Sequence, residues 1–107
     1  MRRLFTILAI SILASLLLQS TAFAVDADAI YKDRCQKCHG ADGKGDTPAG
    51  KKFEAHDFHS SDVQKKTDAE LIKITTDGQK KMPSFKDKLS ADEIKALVAY
   101  VRQLGKK

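Results

Sequence analysis

Apolar residues recur at helical spacing in three stretches of the chain, and the strict alternation of a half-buried strand is sustained nowhere after residue 24. The last stretch is the most regular. Ser90-Ala91-Asp92-Glu93 reads as a capping box, in which the Ser hydroxyl accepts from the Glu amide and the Glu carboxylate reaches back to the cap amide. Ile94, Leu97, Val98, Val101 and Leu104 then fall on one face, and Gly105 marks the end. A second helix opens on another capping box, Thr67-Asp68-Ala69-Glu70, and runs through Leu71, Ile72, Ile74 and Thr75 to Asp77-Gly78, where glycine tolerates a left-handed cap. A third is predicted from about Ala27 to Lys37, capped by Asp26, with Ala27, Ile30, Tyr31 and Arg34/Cys35 at helical spacing. Ser60-Ser61-Asp62 predicts one further helical turn. The segment Gly40 to Gly50 is too rich in glycine for a helix, and Gln79 to Leu89 is short, basic and contains Met82-Pro83. The expected fold is all-α, with loops wrapped around something the chain itself does not supply.

The N-terminus follows a different pattern. Met1-Arg2-Arg3 is basic, Leu4 to Leu18 is almost wholly apolar, Gln19-Ser20-Thr21 is polar, and Ala22-Phe23-Ala24 is an A-x-A cleavage signal. These are the parts of a secretory signal peptide in order. The apolar run is shorter than the roughly 18–20 residues of a spanning helix. The expected organisation is therefore a cleaved signal at 1–24, a single domain at 25–107, and no membrane span after cleavage. Twin arginines also mark a route for folded cargo. Two basic residues are equally what an ordinary export signal needs.

Size and charge narrow the reading. A domain of this length is marginal without a staple. The two cysteines sit in one C-x-x-C, where a disulfide would close too small a loop to constrain much chain. A large apolar cofactor would complete the core. The whole chain carries a formal charge of +5, with lysines paired at Lys51-Lys52, Lys65-Lys66, Lys80-Lys81 and Lys106-Lys107. There is no Trp and no interleaving of aromatic with basic residues, so nucleic acid is not an expected partner.

The candidate chemistry lies in Cys35-Gln36-Lys37-Cys38-His39. Two thiols one helical turn apart reach the same edge of a porphyrin and add to its two vinyl groups. The histidine directly after them lies under the iron and supplies an imidazole nitrogen. C-x-x-C alone also fits a redox dithiol, which needs a βαβ context not visible here. It fits half a zinc site as well, with His56 and His59 as the remaining ligands. Met82 is the leading second axial ligand. It is the only methionine besides Met1, and Pro83 biases it away from helical geometry. The competing reading is a methionine that fills a core gap. His56 and His59, isolated in a polar segment, read as surface residues.

These features together resemble a class I c-type cytochrome of the short bacterial kind. The resemblance spans the whole chain after the signal. It rests on Cys35-x-x-Cys38-His39, on Gly40-Ala41-Asp42-Gly43-Lys44-Gly45 just after it, on Met82-Pro83-Ser84-Phe85, and on the amphipathic last helix. It implies a cytochrome c fold, with three main helices and loops around one covalently bound haem c. It also implies that the first and last helices cross, with Ala27, Tyr31 and Tyr100 at the matching places. Finally, it implies that a proline offers its carbonyl to the axial histidine, for which Pro48 is the candidate; a plain turn proline is the alternative.

The expected function is one-electron transfer in the periplasm by a His39/Met82-ligated haem held on Cys35 and Cys38. Two protein ligands beside four porphyrin nitrogens leave no position for a substrate, so an enzyme is not expected. Partners are expected to be redox proteins with acidic docking surfaces, met by a monomer through a basic rim of Lys44, Lys51, Lys52, Lys80 and Lys81. The alternatives are a five-coordinate sensor or peroxidase-like haem protein, and a haem module docked on a larger membrane oxidoreductase.

Overall fold

Four of the helices begin on a hydroxyl that caps them, and this fixes where the chain turns. The computed structural model describes residues 24–107, so the expected signal peptide, apart from Ala24, lies outside the described residues. Six helices follow in order: α1 Ala27–Arg34, α2 Gln36–His39, α3 Pro48–Phe53, α4 Ser61–Gln64, α5 Asp68–Asp77 and α6 Ala91–Leu104. Among the described residues there is no named strand. A single antiparallel bridge pairs Gln79 with Met82.

The caps follow the sequence reading. Asp26 accepts from the Ala29 amide at 3.1 Å and opens α1. Both capping boxes form, with Thr67 and Glu70 on α5 and Ser90 and Glu93 on α6. Ser60 caps the single turn of α4. The ends differ more. Gly78 stops α5 with φ 79° but an extended ψ, and Gly105 stops α6 while still right-handed. The first helix does not run on to Lys37. It breaks at Cys35, whose φ of −119° opens the helix, and resumes as the short α2.

The glycine-rich segment holds a helix after all. Thr47 accepts from the Gly50 amide at 2.9 Å, and Pro48 occupies the first helical position, where its missing N–H costs nothing. Gly50 is buried in α3 because a Cβ there would overlap the carbonyl oxygens of Cys38 and Gly45. Glycine at this position reads as a breaker of regular structure in the sequence, whereas in the fold it permits close approach.

Packing starts with α6. It lies against α1 and α5 and buries Ile94, Leu97, Val98 and Leu104. The core joins Leu97 and Leu104 to Tyr31 of α1, Phe58 and Val63, with Val101 and Leu71 packed against it. Where α1 meets α6, the Tyr31 and Tyr100 rings lie 5.0 Å apart. Arg102 ties the far end of α6 to the start of α5. Its guanidinium bonds Asp68 at 2.9 Å and the carbonyls of Val63 and Lys66. No helix of the described residues is long and apolar enough to cross a membrane.

Gly50→Ala should push α2 and α3 apart and destabilise the protein by about 1–3 kcal/mol, the usual cost of overpacking. Denaturant unfolding of the mature protein measures it. An unchanged midpoint would mean that the close approach of α3 to Cys38 and Gly45 does not matter.

Candidate functional site

Cys35 is the break between α1 and α2, Cys38 lies within α2, and His39 ends it. The chain leaves His39 through Gly40 and returns to it as a strap. Gly45 N donates to the His39 carbonyl at 2.8 Å, and Phe58 N donates to Gly43 O at 2.8 Å. The Thr47 hydroxyl bonds the carbonyls of Lys37 and Cys38, at 2.7 and 3.0 Å. The Tyr31 hydroxyl donates to Gly40 O at 2.5 Å from the other side.

This strap fixes the imidazole. His39 Nδ1 lies 3.1 Å from the carbonyl oxygen of His56, and the Phe58 ring stacks on it at 4.6 Å and 24°. A carbonyl only accepts, so Nδ1 carries the proton and Nε2 keeps its lone pair. Burial pushes the His39 pKa below its ordinary value, which outweighs the opposing bond to His56. A neutral imidazole with a free Nε2 is what iron ligation requires, and the bonded Nδ1–H raises its basicity.

The carbonyl does not come from Pro48. Pro48 is the first residue of α3, and helical geometry directs its carbonyl along that helix. The role the resemblance implied for it belongs to the backbone of His56, a residue read as a bystander. Its side chain gave no signal of this, because the working atom is main-chain oxygen. The one hint lay in the glycines, since a Cβ on Gly45 would stand 2.6 Å from Ala55 O and block the strap's return.

Met82 comes from a tight turn after α5. Gln79 and Met82 exchange both backbone hydrogen bonds, at 3.1 and 2.9 Å, with Lys80 in left-handed geometry at φ 53°. The turn is tied to the end of α5. Ser84 Oγ donates to Thr76 O at 2.6 Å, and the amides of Phe85 and Lys86 donate to Thr75 O and Thr76 O at 3.1 Å. These bonds satisfy carbonyls that a helix end leaves free. Gly78 is required here, because a Cβ would lie 2.8 Å from both Met82 O and Ser84 N.

Two adjoining cavities of about 420 and 440 Å³ open between these segments, and Cys35, His39 and Met82 line both. Cys38 and Phe85 line the first, and Leu97, Val98 and Val101 of α6 line the second. Cys35 and Cys38 form no disulfide with each other. Before attachment, burial, and then the nearby Cys38, push the Cys35 thiol up to about 11. The observed chemistry is a mostly apolar slot with two thiols, a neutral imidazole and a thioether on its walls. These residues fit a porphyrin with a central iron.

The remaining candidates separate. His56 lines both cavities, whereas His59 lines neither and bonds Asp57 at 2.7 Å. Among the described residues no three His, Cys, Asp or Glu side chains are placed to hold a metal ion. Lys80 and Lys81 line the first cavity with Arg34 and Lys37; Lys44, Lys51 and Lys52 are exposed and line neither.

Residues 23–101 match the family model described as cytochrome c oxidase, cbb3-type, subunit III. Among solved structures, the chain is 35% identical to the KustC0563 c-type cytochrome, covering 75% of this chain and 98% of that one, with a TM-score of 0.69. A tyrosine-to-phenylalanine variant of that protein matches at 34% identity and a TM-score of 0.68, covering 75% and 99% of the two chains. With the family model spanning most of the sequence and the helical fold shared, the chain belongs to the class I monohaem c-type cytochromes and carries a covalently bound haem c.

Proposed function

We propose that the protein is a periplasmic one-electron carrier, with haem bonded to Cys35 and Cys38 and its iron ligated by His39 and Met82. The observation that carries this is the pair of ligands on one slot. His39 and Met82 come from segments far apart in sequence, and both line both cavities. Haem supplies the redox centre, an iron that changes its charge by one electron.

The protein residues make that change fast and reversible. Cys35 and Cys38 hold the ring edge at the break between α1 and α2. The His56 carbonyl and the Phe58 ring prevent His39 from rotating. The segment that carries Met82 is braced on α5, so the backbone from which the thioether extends is fixed by hydrogen bonds. Ligands that stay in place in both oxidation states leave little to rearrange. Methionine as the second ligand raises the reduction potential, and the apolar walls act in the same direction by disfavouring the more highly charged ferric state. With both axial positions filled by protein, substrate has no place to bind, which favours a carrier over an enzyme.

The signal peptide supports the compartment, since the N-terminal pattern is that of an exported chain. The mouth of the first cavity supports a docking face. Arg34, Lys37, Lys80 and Lys81 gather there, and Glu54, 3.8 Å from Lys81 Nζ, offsets only part of the charge. A partner with an acidic surface would be steered to it. A second reading has its own support, because the matched family model is that of an oxidase subunit. The same haem domain would then work docked on a larger membrane complex.

Three outcomes are expected. The oxidised mature protein shows the weak near-red absorption of methionine sulfur on ferric haem. Met82→Ala loses it and binds carbon monoxide when reduced; a band that survives the substitution overturns the ligand assignment. Reversing Lys80 and Lys81 to Glu slows transfer to the physiological partner at low salt, with the difference shrinking as salt screens the charges; equal rates would remove the basic face from the account. Osmotic shock releases a free carrier, whereas retention in detergent-solubilised membrane complexes would favour the docked module.

A further inference from the structure

A run of aromatic rings leads from His39, through Phe58 on the wall of the second cavity, to Tyr31 and Tyr100, which line neither cavity, where α1 meets α6. Phe58 stacks on His39 at 4.6 Å. Tyr31 meets Phe58 edge-on, with centroids 6.3 Å apart at 61°. Tyr100 lies 5.0 Å from Tyr31. The run ends in a hydrogen bond, as the Tyr100 hydroxyl donates to Asp28 Oδ1 at 2.7 Å. The other carboxylate oxygen of Asp28 pairs with Lys32 Nζ at 2.9 Å.

The two phenols are placed for different chemistry. Tyr31 is fully buried, and its hydroxyl donates to a backbone carbonyl, a base too weak to take the proton. Tyr100 is partly exposed, and its hydroxyl donates to a carboxylate. Removing an electron from a phenol makes it a strong acid, so oxidation is eased where the proton has an acceptor in place. Tyr100 has that acceptor and solvent access, while Tyr31 has neither.

We propose that Tyr100 is a radical-trapping port wired to the haem. It gives one electron to a strong one-electron oxidant in solution and is repaired by an electron from the reduced haem. In the first step the oxidant gains an electron, the Tyr100 O–H bond breaks, and the proton passes to Asp28, leaving a neutral tyrosyl radical. In the second, Tyr100 would regain an electron through Tyr31, Phe58 and His39, supplied by the reduced haem that His39 would hold, and the proton would return from Asp28 to remake the phenol. The net reaction is one oxidant reduced and one haem oxidised. This port lies on the α1–α6 face, away from the basic mouth of the first cavity. The inference rests on His39 holding the haem iron.

The test uses the mature haem-loaded protein and azide radicals generated by pulse radiolysis. The absorption spectrum before the pulse checks the haem site on its own, so a wrong assignment of His39 appears there and not in the kinetics. The chain has two tyrosines, so the radical is assigned by paramagnetic resonance with Tyr100→Phe. In ferric protein a tyrosyl radical persists on Tyr100. In ferrous protein it decays in a phase independent of protein concentration, matched by haem oxidation. Tyr100→Phe retains the ring and the haem spectrum but loses that phase. Phe58→Leu, checked by its absorption spectrum for bound haem, keeps the radical and slows its repair severalfold, whereas Tyr31→Phe, which keeps the bridging ring, leaves both the radical and its repair in place. Equal haem oxidation in Tyr100→Phe, or a tyrosyl radical that decays equally fast in ferric and ferrous protein, would overturn the proposal.

Discussion

The hydrogen bond between His39 Nδ1 and the carbonyl of His56 sets the rest of the structure. For the bond to form, the chain has to leave His39, loop through residues 40 to 55 and return to the same ring. Almost every unusual feature of that segment serves the return. Gly45 passes close to Ala55, Gly50 brings α3 onto Cys38, Thr47 bonds the carbonyls of Lys37 and Cys38, and Phe58 closes the loop against the imidazole. A histidine so held is neutral, oriented and unable to swing, which is the condition for a ligand that stays put while the iron changes charge.

Met82, the proposed second ligand, is placed by the same logic applied to a helix end. The carbonyls of Thr75 and Thr76 lack partners within α5, and the segment carrying Met82 supplies them. Ordering the turn therefore satisfies the helix, and the helix orders the turn. Between His39 and Met82 lies a slot whose far wall is α6. The apolar face of α6 serves two masters, since Leu97 packs on the core and also lines the slot. Because the core is small, cofactor binding and folding share the same apolar surface. Losing the haem would leave that surface exposed to water.

The legible parts of the molecule were those where side-chain identity carries the physics. Capping boxes at Thr67 and Ser90 located α5 and α6, the stripe from Ile94 to Leu104 located the buried face, and the cysteines with His39 marked the site. The less legible parts are governed by the backbone. His56 contributes an oxygen that every residue has, so nothing in its identity points to it, and Pro48 was the more conspicuous candidate for the same task. The helix at Pro48–Phe53 was hidden because glycine reads as a breaker, although Gly50 is there for close approach. The break at Cys35 lies inside a pattern that looks continuously helical, and only the three-dimensional demand on two thiols and an imidazole explains it. Lys80, left-handed at the tip of the Met82 turn, had no distinguishing sequence signal.

The central claim is that Met82, together with His39, closes the iron's coordination. Met82 is the only methionine after the expected signal peptide, so labelling methionine methyl groups with carbon-13 places a single resonance in the mature protein. In the reduced state a sulfur-bound methyl sits above the porphyrin ring, and its proton signal is displaced far upfield by the ring current. With Met82 on the iron, that one displaced resonance is the expected result. A methyl signal at the ordinary position of a free methionine side chain, in protein that carries its haem, would contradict it.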